Sequence, residues 1–161
     1  MRVMNNLKSK FKKANKDNKG FSLVELIIVI AIMAILVGIV GTQVIPYINK
    51  SKVAKDQQVL NSISTAGVAA YSENGLTGDI TVSVFATGLS GDAQAVADDI
   101  IATTGFDDID DFIAALGADG KDDIKAVTFT VDADSHQATT SVTYDTGKTP
   151  KYPIGDVNAT L

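Results

Sequence analysis

From Phe21 to Val44 the chain reads FSLVELIIVIAIMAILVGIVGTQV, and Glu25 is its one charged residue. No other stretch constrains the fold so strongly. As a helix these residues measure ~36 Å. The hydrocarbon core of a bilayer is ~30 Å thick, so the segment spans it with some tilt. The remainder of a 161-residue chain leaves room for one modest domain.

Charge divides the chain at the same place. Residues 1–20 hold Arg2, Lys8, Lys10, Lys12, Lys13, Lys16 and Lys19 against Asp17 alone, while residues 21–161 hold eighteen acids against seven bases. A basic head, an apolar run and an acidic body read as an export signal. The head stays in the cytoplasm by the positive-inside rule and the body crosses. In an ordinary secretory signal the small-residue cleavage site follows the apolar stretch. Here the small residue, Gly20, precedes it. An acidic body repels nucleic acid, so no nucleic-acid partner is expected. With no cysteine in the chain, disulfides and thiol–metal sites are excluded.

Glu25 makes the run more than an anchor. An acid inside a membrane helix costs free energy, and so implies a partner. No basic residue follows until Lys50, ~37 Å further along the helix. The partner is therefore expected from elsewhere. Cutting after Gly20 would free an amine at Phe21, about one helical turn from Glu25.

KGFSLVELIIVIAIMAIL resembles the N-terminal signature of type IV pilins and the related pseudopilins, residue by residue from Gly20 to Leu26. The resemblance covers the first third of the chain. It implies that a membrane-embedded prepilin peptidase cuts between Gly20 and Phe21 and that Phe21 is then N-methylated. It also implies that Glu25 is the assembly residue. The cysteine-free body and long leader are similar to a Gram-positive, clostridial-type major pilin. The family often unwinds part of its long helix on assembly, which here points to Gly38, Gly41 and Pro46. Pro46 removes a helical hydrogen bond in any case, and is expected to kink the rod.

Beyond Val44 the pattern becomes amphipathic. Val44, Ile48, Val59, Ile63, Ala66 and Ala70 recur near helical spacing, with Lys50, Lys52, Lys55, Asp56 and Gln57 between them. Gly75 is the expected helix stop. Ile80, Val82 and Val84 alternate as a short strand. Ala93, Val96, Ala97, Ile100 and Ile101 predict a helix capped by Ser90 or Asp92. Ile109, Phe112, Ile113 and Leu116 form another short apolar face, stopped by Gly117. Val127, Phe129 and Val131 face Thr140, Val142 and Tyr144 across a polar turn, which predicts a hairpin. The tail from Gly147 reads as loop or edge segment. The expected fold class is α+β, a long helix packed on a small antiparallel sheet.

The expected organisation is a cleaved leader over 1–20, a transmembrane and assembly helix over 21–46, and a globular domain over 47–161. Asp132-Ala-Asp134-Ser begins like a calcium loop but lacks its later glycine and twelfth-position glutamate, so a hairpin turn is the better reading. Asp107, Asp108, Asp110 and Asp111 straddle a helix start, where negative charge is favourable. His136 is the sole histidine and falls in the predicted turn. No metal site, cofactor or catalytic constellation is expected, and the chain reads as a non-enzyme. Asn158-Ala-Thr160 matches a glycosylation acceptor by three residues alone.

The resemblance implies a self-assembling filament subunit, held in the inner or plasma membrane as prepilin and extracellular once assembled. Its other partners would be the peptidase and an ATP-driven assembly machine. The alternatives are a pseudopilin of a secretion or DNA-uptake system, and a single-pass anchored binding protein that never polymerises.

Overall fold

The computed structural model describes residues 20–161. The leader expected over 1–20 thus lies, but for Gly20, outside the described residues. A helix, α1, runs from Leu23 to Glu73 and continues through Gly38, Gly41 and Pro46. The chain divides into a unit ending at Val44 and a second, Ile45–Leu161. In the first unit the apolar side chains have no protein to bury them: Leu26 is 59%, Met33 62% and Val37 72% exposed. The helix is long and apolar enough to cross a membrane.

In the second unit the architecture is α+β. After α1 come β1 (Ile80–Ser83), α2 (Asp92–Thr104), α3 (Ile109–Ala115), a single 3-10 turn (Lys121–Asp123), β2 (Ile124–Asp132), β3 (Gln137–Tyr144) and β4 (Val157–Thr160). The sheet is antiparallel throughout, in the order β1-β2-β3-β4. β2 and β3 are the expected hairpin, with Phe129 opposite Thr140 and Val131 opposite Ala138. The strands alternate because one face is covered: Val127, Phe129 and Val131 are buried, while Thr128 and Thr130 between them are half-exposed.

α1 covers that face with Leu60, Ile63, Ala66, Gly67, Ala70 and Tyr71, all buried. Fully burying Leu60, Ile63 or Phe129 each stabilises the fold by about 1.5–3 kcal/mol. Gly67 sets how closely helix and sheet approach. A Cβ there would lie 2.6 Å from two carbons of the Phe129 ring. α2 contributes Val96, Ala97 and Ile100 to the core. Phe112 of α3 packs against Phe85 and, edge-on, against Phe106, at 5.9 and 5.8 Å between ring centres.

The helix boundaries have local causes. α1 stops at the expected glycine: Gly75 takes φ 66°, its N–H donates to the Ser72 carbonyl, and the Leu76 N–H donates to that of Tyr71. This is a Schellman motif. Asp108 caps α3, its carboxylate accepting from the Asp111 N–H at 2.9 Å, so the acidic run serves the helix start as expected. α2 corrects the sequence reading. Its N-cap is Gly91, with φ 59° and ψ −140°, and neither Ser90 nor Asp92 makes a capping bond. Only glycine adopts that backbone geometry without strain, and it leaves no polar side chain at the cap.

Two further expectations are corrected on α1. Val44 and Ile48 are exposed, and burial along the helix begins at Asp56. Asp56, placed by periodicity among the polar positions, is fully buried. Its two oxygens accept the N–H groups of Gly117 at 2.9 Å and Ala118 at 2.7 Å. These donors lie sixty-one and sixty-two residues away, beyond what a helical period can report.

The tail is loop followed by edge strand, as its composition suggested. Pro150 covers Gly120, which holds φ 85° and has no room for a Cβ. Ile154 is buried, and its N–H donates to the Tyr144 hydroxyl at 2.9 Å. Burial pushes the Tyr144 pKa up; the Ile154 N–H opposes this, and the nearby Asp56 carboxylate adds to it. The folded state therefore keeps the Tyr144 proton to higher pH than the unfolded chain does. The stability this group contributes is complete below the ordinary tyrosine range and is lost as pH rises through the folded value. The urea midpoint is expected to fall as pH rises above about 10, the ordinary tyrosine value. Tyr144→Phe should flatten that dependence, and an unchanged slope would refute this origin.

Candidate functional site

The site is built where α1 begins. Gly20 and Phe21 precede the helix in non-helical chain, and Phe21 is 88% exposed. The peptide bond between them is thus presented on an open segment rather than inside a helical turn. The helix starts because Ser22 supplies its first acceptor: the Leu26 N–H donates to the Ser22 carbonyl at 3.1 Å. Glu25 stands in the first turn, and its Oε2 accepts the Ser22 N–H at 2.9 Å.

Ser22-Leu23-Val24-Glu25 therefore forms one arm of a capping box, in which the acid three residues into the helix reaches back to the cap residue's amide. A carboxylate here also faces the positive end of the helix dipole. The Glu25 partner expected from elsewhere is joined by one in its own chain, the Ser22 N–H. The S-x-x-E spacing was the available signal. The geometry has a chemical consequence: the carboxylate is held against the backbone one residue from Phe21, where cleavage would create a cation.

Further along α1, Gly38 and Gly41 have nothing within 4 Å of where a Cβ would stand. The Thr42 hydroxyl donates back to the Ile39 carbonyl at 3.0 Å. Pro46 offers no N–H to the carbonyl four residues earlier, that of Thr42. The helix here has lost one ladder bond and carries two residues of poor helix propensity.

The remaining candidates do not gather into a site. Asp132 accepts from the Ser135 N–H at 2.9 Å within the hairpin turn, and Asp79 accepts from Ala133 at 2.9 Å. The Ser135 donors hold the Asp132 carboxyl below its usual pKa. His136 lies in that turn, exposed, with φ 54°. Among the described residues no three histidine, cysteine or acidic side chains converge as metal ligands. Asn158 and Thr160 are exposed on β4, and the Asn158 side chain accepts from the Thr139 hydroxyl at 2.9 Å.

Residues 15–41 match the model of the prokaryotic N-terminal methylation motif. That motif is the prepilin signature of type IV pilins and pseudopilins, and this chain carries it. The motif supports a type IV pilin-like or pseudopilin protein, the class whose members prepilin peptidase processes. The motif and the apolar helix together support anchoring in a membrane before assembly. No curated protein and no solved structure matches the chain.

Proposed function

We propose that this chain is a structural subunit of a type IV pilus. Prepilin peptidase cuts after Gly20 and Phe21 is N-methylated. The subunits then leave the membrane and polymerise through the apolar half of α1. The observation that carries the reading is the methylation motif over 15–41 leading into a membrane-length apolar stretch, residues 21–44, whose one charge is Glu25. In a stack of copies, Glu25 pairs with the Phe21 amine of a neighbour, exchanging its own-chain Ser22 amide for a cation. A pair of that kind sets register more reliably than it adds stability. Head-to-tail contacts of this type do not close, so they grow fibres. Gly38, Gly41 and Pro46 mark where the helix gives way on assembly. The globular unit coats the extracellular filament, and a separate ATP-driven machine supplies the work.

Intact-mass and N-terminal analysis of the protein from its native cell surface tests this. The expected product starts at Phe21 and carries one extra methyl group. A chain starting at Met1, in cells that possess the peptidase, refutes the prepilin reading. Glu25→Ala is expected to leave processing intact and abolish filaments; normal filaments would remove Glu25 from assembly.

A further inference from the structure

Within Ile45–Leu161 the acids outnumber the bases, yet the bases are concentrated. Lys50, Lys52 and Lys55 occupy the first turns of α1 in this unit, and the folded tail adds a fourth. Lys50 and Lys151 line one groove with Val53, Tyr152 and Pro153. All four lysines are exposed. Among the described residues the one ion pair joins Lys148 to Asp123 and involves none of them. The acids beside these lysines are Asp156, which lines the adjoining hollow with Gln57, and the buried Asp56, one helical turn from Lys52. Two carboxylates do not neutralise four ammonium groups.

Two of the lysines sit beside aromatic rings. Lys50 Nζ lies 5.8 Å from the ring centre of Tyr47, and Lys151 Nζ 5.5 Å from that of Tyr152. Tyr47 is 70% exposed. Exposed tyrosine beside lysine suits a membrane–water interface, where the ring rests among the headgroups and the long cationic stem reaches to water. Covalent distance places these residues there. Tyr47 follows Val44 by three residues, ~4.5 Å of helix, within the ~5–8 Å headgroup layer on each side of a bilayer. Lys50, at ~9 Å, reaches back to it because helical side chains tilt toward the N-terminus. Lys52 and Lys55, at ~12 and ~16 Å, fall within about a Debye length of it.

We propose that Lys50, Lys52, Lys55 and Lys151, with Tyr47 and Tyr152, dock the globular unit onto the anionic phosphate headgroups of the bilayer that holds the apolar helix. The acids elsewhere on the unit are repelled by the same surface, so the lysines also decide which end faces it. Docking would hold the globular unit of the anchored, unassembled subunit against the bilayer until the subunit is extracted. The inference rests on membrane anchoring and not on polymerisation.

The chain has no cysteine, so a single one can be introduced and labelled cleanly. Thr149→Cys, exposed and two residues from Lys151, carries a fluorophore; Ser135→Cys in the β2–β3 turn is the reference. The full chain is reconstituted into vesicles bearing a headgroup quencher, and flotation first confirms insertion. Failure to insert would count against the anchoring reading instead. With about 30 mol% phosphatidylglycerol, quenching at position 149 is expected to exceed that in phosphatidylcholine and to vanish near 0.5 M salt. Each Lys→Gln change should weaken docking about fivefold, and K50Q/K52Q/K55Q/K151Q should reduce it to the phosphatidylcholine level. Equal quenching in the two lipids, or a quadruple variant that behaves as the parent, overturns the proposal. Loss of quenching on adding inorganic phosphate at constant ionic strength overturns it in favour of a free-anion site. Filament loss in the quadruple variant with quenching unchanged overturns it in favour of contacts between subunits.

Discussion

Asp56→Ala is expected to lower the unfolding free energy of the globular unit by about 2–4 kcal/mol. The carboxylate is fully buried and accepts two backbone N–H groups, from Gly117 and Ala118. Alanine leaves both donors buried without acceptors. Each orphaned donor costs about 1–3 kcal/mol, partly relieved if the loop shifts to admit water. The damage should be local at first, because the loop closes the stretch between α3 and the 3-10 turn leading into β2. Asp56→Asn keeps one acceptor oxygen but turns an NH2 toward the second donor, so a smaller loss is expected. Urea unfolding of the full chain in detergent measures both. A loss below ~0.5 kcal/mol for the alanine variant would show that the two bonds are replaced by water at little cost.

Gly67→Ala should also destabilise, which opposes the usual trend. Alanine in place of glycine inside a helix ordinarily gains about 1 kcal/mol. Here the added methyl would lie 2.6 Å from ring carbons of Phe129, which is itself fully buried. Overpacking of this kind costs about 1–3 kcal/mol, so the clash outweighs the propensity gain or cancels it. The discriminating result is the double variant. Phe129→Leu alone loses packing, but in the Gly67→Ala background it also relieves the clash. The two changes should therefore cost less together than the sum of each alone, by about 1 kcal/mol or more. Strict additivity would mean that helix and sheet separate easily and that Gly67 does not set their spacing.

These two residues show where sequence reading reached and where it stopped. The β2–β3 hairpin was legible because Val127, Phe129 and Val131 alternate on one side of a polar turn, and alternation is a property of adjacent residues. The end of α1 at Gly75 was legible for the same reason. Asp56 was read as a surface residue because its neighbours Lys55 and Gln57 are polar; the amides that bury it belong to residues 117 and 118. Ser90 and Asp92 were the natural caps by residue type, and the backbone at Gly91 overruled them.

The candidate processing and assembly site was almost wholly determined by sequence. Gly20, Phe21, Glu25 and the apolar run lie at fixed spacing along one segment, and under the proposed function a peptidase and a bilayer would each read that segment locally. The Ser22–Glu25 bond is equally local, and the S-x-x-E spacing is its signal in the sequence. Tertiary structure alone decided the rest. It placed Lys151 beside Lys50, Pro150 over Gly120 and Phe129 under Gly67, because each contact joins residues at least thirty apart in the chain. Such contacts follow from how the sheet packs on the helix, and no periodicity records them.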